Sequence, residues 1–550
     1  MHNHITTSYL NSKEHKDLYG TNILYKPSLS NETEFKEIIN GFLCSKFSEG
    51  QYKDSKKIKE ILQSLFVFVE THFLEKLKKQ LSQDLMSFVL HQYDISANID
   101  SDFKTEKLNN KDELRWKSTG PIFRRTSKYV AESITLLSSG NITDSTSNFC
   151  SNDLGMLWLF AEEMVRIYHA IDKTFLLFPK QTSLNIYSIE NPYYWKLETD
   201  AFPANDVQKS IRTDTSNRCK FIQSDTYLKN TKLHEQTIGK AFEESTGIPY
   251  TKAIEIIKNL ITYSIPNESL VPFLNIQYVE ELLAEDYGYS KESIRKIISG
   301  FSLKKENLTN RVIFKPKQEY RALKRGFFEF AHPTGKHLIF SKAMATEALT
   351  HLVRQIPFSK IPSEWETRKT LSDSLSDLSI TRGKWFERQA IDSFKKIDIK
   401  GQCFENFIGQ NREISIPKEV GEIDFLGYST NDKALIIGEF KMVLEAWEAR
   451  LYKDDIDKFM TNKKSYSKKF ISKINWINEN QKQIIQQLIK MKIIPTDEKV
   501  LSINPVMITL YPTIVSYLID DFECVSITHF MLDFKKNNNK WPYTKGIKTL

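Results

Sequence analysis

Cysteine is scarce in this chain, and so are the signatures that usually announce a cofactor. Its five cysteines, Cys44, Cys150, Cys219, Cys403 and Cys524, stand far apart with no C-x-x-C pair. An odd, scattered set excludes a disulfide framework and a structural zinc site, so all five are expected to be reduced core residues. No run of about 18 apolar residues occurs, and the start, Met1-His-Asn-His-Ile-Thr-Thr7, lacks the charged-then-apolar pattern of a secretory leader. A soluble cytoplasmic protein with no membrane partner is the expectation. Gly335-Lys336 lacks the earlier glycine of a phosphate loop, and His337 stands where Ser or Thr should follow, so no nucleotide site is expected. His332 and His337 have no H-E-x-x-H and no cysteine near them, which leaves them structural. There is no G-x-S-x-G elbow for a serine nucleophile.

What is present is enough chain for several cores. With 550 residues, 40% of them apolar, two to four domains are expected. A net charge of +8 permits nucleic-acid binding without demanding it. Lysine outnumbers arginine, and Asn and Ile are plentiful, as in proteins of AT-rich genomes.

Along the chain, a helical pattern begins at Glu32 after the break at Lys26-Pro-Ser-Leu-Ser30. From Ser55 to about Leu90 the residues Ile58, Ile61, Leu62, Leu65, Phe66, Val69, Phe73, Leu77 and Leu81 recur at three and four, which predicts one or two long amphipathic helices with their lysines in solvent. Asn98 to Asn110 reads as a loop. Arg115-Trp-Lys-Ser-Thr-Gly-Pro-Ile-Phe-Arg124-Arg125 mixes basic, aromatic and turn residues, as a phosphate-gripping loop or an ordinary domain-edge loop would. Ser138 to Asn152 reads as a linker, and Leu154 to Ile171 as a core helix. Residues 180 to 235 are short pieces interrupted by Pro and Asn. Helices are then predicted over Ile238–Glu244, Lys252–Tyr263, Ile276–Glu285 and Ser290–Ser299, the last capped by Ser290. The pattern of an all-α lobe breaks at the strand-like, basic segment Lys315 to Phe330. The polar patch Ser372 to Ser379 marks the boundary of the last domain. The chain therefore divides into a largely α-helical region, 1–375, with a subdivision near 138–152, and a C-terminal α/β domain, 376–550.

That last domain carries the chemistry. A helix from Thr381 to Phe394 bears Glu387 beside its packed face. A strand from Gln402 to Ile414 follows, then two strands of a hairpin, Ile423–Tyr428 and Ala434–Lys441, joined through Ser429 to Asp432. Residues two apart on a strand share a face, so Glu439 and Lys441 project together, and pairing brings Asp424 beside them. Two carboxylates at the end of a sheet suit a hard cation such as Mg²⁺, which keeps waters and binds phosphate. The lysine can position or help deprotonate a water attacking phosphorus. Glu422 is the decoy acid of the hairpin. A helix through Trp447 and Tyr452 is expected next. The run Lys458 to Lys473 then holds six lysines, no acid, and Phe459, Tyr466 and Phe470 between them. It reads as a solvated helix face or, beside a phosphodiester site, as a contact to nucleic-acid backbone through Lys463, Lys464, Lys468 and Lys469, with Arg124 and Arg125 as further candidates. A helix from Ile474 to Lys492 and strands over Ser502–Leu510 and Ser526–Phe530 complete the domain.

The order of Arg382-Gly-Lys-Trp-Phe-Glu387, a strand, Gly421-Glu-Ile-Asp424, Gly438-Glu-Phe-Lys441, helix and strand resembles the PD-(D/E)xK nuclease superfamily. The likeness covers Thr381 to Phe534 and is greatest to nuclease modules of prokaryotic defence and restriction proteins. Ile423 replaces the proline of the family's name. The resemblance implies a restriction-endonuclease-like fold, with a mixed central sheet flanked by helices. It implies Asp424 and Glu439 as metal-binding acids, Lys441 as the catalytic lysine, and Glu387 as the helical acid that completes the site or holds a second ion. The expected function is Mg²⁺-dependent hydrolysis of DNA phosphodiesters, with Mn²⁺ as a substitute metal, by an endonuclease in anti-phage defence or restriction. Expected partners are DNA and either an ATPase or sensor protein or further copies of the chain. The alternative is a non-cleaving nucleic-acid-binding or assembly subunit that keeps the fold.

Overall fold

The structure is a computed structural model that describes residues 13–138, 151–172, 181–188, 190–191, 193–199, 204–263, 270–308, 319–446 and 449–550. It is a mixed α/β protein, predominantly helical, and divides into two compact units. The first comprises 1–200 and 231–375, the second 201–230 and 376–550. No helix among the described residues is long and apolar enough to cross a membrane.

In the first unit the helix Ser55–Gln80 buries Ile58, Ile61, Leu62, Leu65, Phe66, Val69, Phe73 and Leu77, the stripe its periodicity predicts. Asp54 starts it by accepting the amides of Lys56 and Lys57, and Ser82 caps the helix Gln83–Lys104 that follows. The core helix Ser151–Asp172 buries Trp158, Phe160, Met164 and Ile167. Helices Thr231–Thr246, Tyr250–Thr262, Ile276–Tyr287 and Lys291–Gly300 lie where expected, the last with its Ser290 cap. This unit is not all helix. Phe273–Asn275, Ser302–Leu303, Phe327–His332 and Gly335–Ile339 form a four-stranded sheet, and Gly50–Tyr52, Thr182–Ile186 and Trp195–Thr199 a three-stranded one. His337, in the larger sheet, is stacked flat on Phe273 at 4.3 Å between ring centroids.

Several expectations are corrected. The segment read as a loop from Asn98 to Asn110 is helical to Lys104, and the next helix starts at Asn110. Arg115 to Arg125 is no loop either: it lies inside the helix Asn110–Leu137. Its misleading Gly120-Pro121 pair has a packing cause. A side chain on Gly120 would meet the Trp116 ring at 2.5 Å, so glycine lets that ring lie flat along its own helix. The buried face Trp116, Gly120, Phe123, Ser127 and Val130 then holds the helix through Pro121. Cys44 and Cys219 are exposed and Cys403 is half-buried, so of the described cysteines Cys524 alone is a core residue. Cys150, most of the expected linker 138–152, and Trp447 fall outside the described residues.

The second unit is built on one mixed sheet. Strands β1 (Ile399–Phe404), β2 (Ile423–Ser429) and β3 (Ala434–Lys441) run antiparallel in that order. Strands β4 (Ser502–Thr509) and β5 (Glu523–Ser526) continue the sheet in parallel, and the short β6 (Lys548–Thr549) pairs with β4. Every residue of β2 is buried, and β3 is buried up to Lys441. Strands so uniformly apolar need cover on both faces. The helices are α1 (Ala204–Asn217), α2 (Lys369–Lys395, in this unit from Ser376 on), α3 (Ala449–Ile456), α4 (Tyr466–Glu479), α5 (Gln481–Lys490) and α6 (Ile527–Lys536). Phe394 of α2 meets Phe425, Phe440 and Phe530 with centroids 4.9, 5.6 and 4.8 Å away, which joins α2 and α6 to the sheet.

Here too some boundaries move. The polar patch Ser372–Ser379 does contain the division between the two units, after Leu375, but it is no break in the chain: it is part of α2, because Leu371, Leu375 and Leu378 bury one side of it at helical spacing. Ser526–Phe530 is not a strand: Ser526 accepts the amide of His529 and starts α6, whose Ile527, Phe530, Met531 and Phe534 face inward. The helix expected over 474–492 is two helices meeting at Asn480. The segment 201–230 joins this unit through buried Asp214, which accepts hydrogen bonds from Ser526 Oγ (2.9 Å) and Arg218 Nε (2.7 Å).

Candidate functional site

The hairpin of β2 and β3 closes as its sequence predicts, with Ser429 opposite Ala434 and Phe425 opposite Gly438. Continuing that register by one residue sets Asp424 against Glu439. Asp424 Oδ2 accepts the backbone amide of Phe440 at 2.8 Å, which fixes the carboxylate at the strand end. Lys441, on the same face as Glu439, reaches Glu439 Oε1 at 2.7 Å and Asp424 Oδ2 at 3.2 Å. The predicted meeting of two carboxylates and a lysine is therefore present.

A second lysine completes it, one missing from the sequence-derived set. Lys473 of α4 places its ammonium 2.5 Å from Glu439 Oε2 and 3.4 Å from Asp424 Oδ1. Asp424, Glu439 and Lys473 are 7, 2 and 6% exposed, so these charges are nearly out of water. Buried charges are tolerated when paired and hydrogen-bonded, and two carboxylates with two ammoniums neutralise each other here. A signal for Lys473 did exist. It falls three residues after Phe470 and four before Ile477, on the buried face of α4, where a cation requires an anionic partner.

Burial alone would lower the proton affinity of Lys441, but the Glu439 and Asp424 carboxylates more than offset this and hold it above the ordinary lysine value. Paired with both carboxylates, Lys441 is placed to stabilise negative charge or to position a water. Its ammonium also lies 5.6 Å from the ring centre of Tyr466, the first residue of α4.

Glu387, half-buried on α2, has its carboxyl raised by burial, then by the charges of Asp424 and Glu422. It therefore lies within electrostatic reach of the cluster. Glu422 is exposed and accepts the thiol of Cys403 at 3.0 Å. That thiol is raised by its burial and by the same bond, which disfavours a reactive thiolate. Glu422 is thus no ligand of the quartet, yet its charge is felt at Glu387.

The basic candidates separate. Lys463, Lys464, Lys468 and Lys469 are exposed around the start of α4, the helix that presents Tyr466 and Lys473 to the cluster. Arg124 belongs elsewhere. In the first unit it pairs with Asp100 at 2.9 Å, with Tyr93 at 3.0 Å, and with Glu347. Arg125 bonds the ring of His169. The expectation that these two arginines grip phosphate is corrected, because their helix turns them into internal contacts.

In donor type the cluster fits a hard cation, since Asp424 and Glu439 offer carboxylate oxygens. Among the described residues, however, no three His, Cys, Asp or Glu side chains stand close enough together to hold a metal ion. Each oxygen of the pair already faces an ammonium, and the seat between Asp424 Oδ1 and Glu439 Oε2 is taken by Lys473. Comparison with known proteins found no matching family model, curated protein or solved structure.

Proposed function

We propose that the second unit is a metal-dependent phosphodiesterase acting on DNA, an endonuclease of a prokaryotic defence or restriction system. The observation that carries the reading is the convergence of Asp424, Glu439 and Lys441 in one buried cluster at the end of β2 and β3. The order of elements adds support: a helix bearing Glu387, three antiparallel strands, helices, then a parallel strand. Exposed lysines beside the cluster suit a polyanion.

In this reading Asp424 and Glu439 would hold Mg²⁺ together with water, and Glu387 would act on the site through its charge. Bound Mg²⁺ supplies Lewis-acid polarisation of the phosphoryl oxygen and a more acidic water. Lys441 would stabilise the charge that develops on the phosphoryl group or position the attacking water. The amide of Phe440 keeps Asp424 oriented. Lys468 and Lys469 contact the strand's phosphates and set its path without reading sequence.

The test is direct. The full chain and its Lys441→Ala and Asp424→Asn variants are incubated with plasmid and linear DNA in Mg²⁺ or chelator. Wild type should nick or cut only with Mg²⁺, and both variants should lose at least a hundredfold in rate. Identical behaviour of all three proteins would leave a non-cleaving, DNA-binding subunit as the reading.

A further inference from the structure

The cluster raises a question that its ligand types alone do not answer: how a divalent cation enters a site whose charges are already balanced. Asp424 and Glu439 contribute two negative charges, Lys441 and Lys473 two positive ones. Adding a dication to a nearly dry, neutral quartet would leave an uncompensated double charge, which burial makes costly. The two lysines are not equivalent in this respect. Lys441 follows Glu439 on the same strand, and it bridges Glu439 Oε1 and Asp424 Oδ2, the oxygen already bound to the Phe440 amide. Lys473 comes from another element and bridges the remaining pair, Glu439 Oε2 and Asp424 Oδ1. On the Lys441 side Asp424 Oδ2 is already held by a backbone amide, so the Lys473 side is where a hard cation would be shared.

We infer that Lys473 is a built-in counter-ion, holding the cation seat of the Asp424–Glu439 pair until a divalent metal displaces its ammonium. The inference rests on the metal-dependent reading of this cluster and adds to it a competition within the chain. The physical basis is the contrast between the two cations. An ammonium is a single charge on a flexible four-carbon stem that can swing away, whereas Mg²⁺ or Mn²⁺ carries twice the charge and takes carboxylate oxygens directly. Before loading, Lys473 keeps the acids apart from each other's repulsion and lets the site fold without metal. On loading, the ammonium is released next to Tyr466 and the exposed lysines of α4, where it adds to the positive field a phosphodiester would meet. Metal affinity is thereby weakened by the cost of expelling Lys473.

Mn²⁺ binding to the full chain, measured by titration calorimetry without DNA, tests this. Lys473→Met removes the charge but keeps the length, and should bind Mn²⁺ at least tenfold tighter than wild type. Lys473→Arg should bind no tighter than wild type. Equal or weaker binding by Lys473→Met would overturn the inference. A measurement on wild type alone covers the case in which that variant folds poorly. Acylation of Lys473 by an amine-reactive reagent, read by mass spectrometry, should rise at least severalfold when Mn²⁺ is added, and continued protection with Mn²⁺ bound would overturn it. The two ideas fail differently. Tighter Mn²⁺ binding by Lys473→Met with no DNA cleavage supports displacement and removes the nuclease reading. Metal-dependent cleavage with Lys473 protected throughout removes displacement alone. No Mn²⁺ binding by any of the three proteins removes both.

Discussion

The ammonium of Lys473 stands 2.5 Å from Glu439 Oε2, a contact that ties α4 to the third strand of the sheet. Both groups are almost fully buried. Such a pair gives little net stability over an apolar one, yet breaking it leaves a charge stranded in low dielectric. The consequence is measurable. In chelator, Lys473→Met and Glu439→Gln should each lower the stability of the full chain by about 3–5 kcal/mol. The double variant should lose much less than the sum, and urea unfolding followed by tryptophan fluorescence reads the difference. Strictly additive losses would mean that the two groups do not depend on each other.

The first two strands of that sheet meet through a pair of glycines. Gly401 of β1 is opposite Gly427 of β2. A side chain on Gly427 would lie 2.5 Å from the Lys400 carbonyl and 2.5 Å from Phe425 Cζ. One on Gly401 would meet Gly427 Cα and the same ring carbon, both at 2.5 Å. The Phe425 ring fills the space the glycines leave. Gly427→Ala should therefore cost about 1–3 kcal/mol by overpacking and speed hydrogen exchange of the β1 amides. An unchanged melting temperature would show that both the ring and the β1 backbone at Lys400 yield without cost.

These examples also show what could be read in the chain beforehand. The hairpin was legible because a strand's period of two and a polar turn specify which side chains share a face. The first unit's long helix was legible from its stripe of Ile, Leu, Val and Phe. The place of Lys473 was obscured because it ends a run of six lysines, and a run reads as a solvated face until its phase against Phe470 and Ile477 is considered. The helix through Pro121 was hidden by residues that locally favour a turn, since the Trp116–Gly120 contact that explains them is a matter of packing. Nothing local shows that 201–230 belongs with the second unit. The Asp214–Ser526 bond joins residues more than 300 apart in the chain.

Arg124 and the lysines of α4 should respond oppositely to substitution. Arg124 is held by Asp100, Tyr93 and Glu347, and its side chain is 18% exposed. Arg124→Ala should destabilise the chain by about 2–4 kcal/mol, since it strands acidic partners, while leaving DNA affinity unchanged. Lys468→Ala with Lys469→Ala should leave stability within about 0.5 kcal/mol. It should weaken DNA binding across all sequences and reduce the salt dependence by about two charges. Fluorescence anisotropy with a labelled duplex over a salt series separates the two. Loss of affinity in Arg124→Ala at full stability would return that residue to the nucleic-acid surface.

Asp455 of α3 gives a pH dependence of definite sign. Burial pushes its carboxyl up to about 6, although the Thr513 hydroxyl, which donates to Oδ2 at 3.0 Å, and the charge of Lys458 pull the other way. In the unfolded chain the group titrates near pH 4. Between pH about 4 and about 6 the folded protein holds a proton that the unfolded chain has lost, so this group's contribution to stability falls as pH rises through that window. The loss is at most about 2–3 kcal/mol and is complete above the folded value. Asp455→Asn keeps an oxygen for Thr513 but cannot ionise. Its stability relative to wild type should therefore climb between pH 4 and 6.5 by about 1–3 kcal/mol and then stay level. Other carboxylates titrate alike in both proteins and cancel in the difference. Urea midpoints measured for the pair at half-unit pH steps give the curve, and a gap that does not change with pH would mean that Asp455 titrates alike in the folded and unfolded chains.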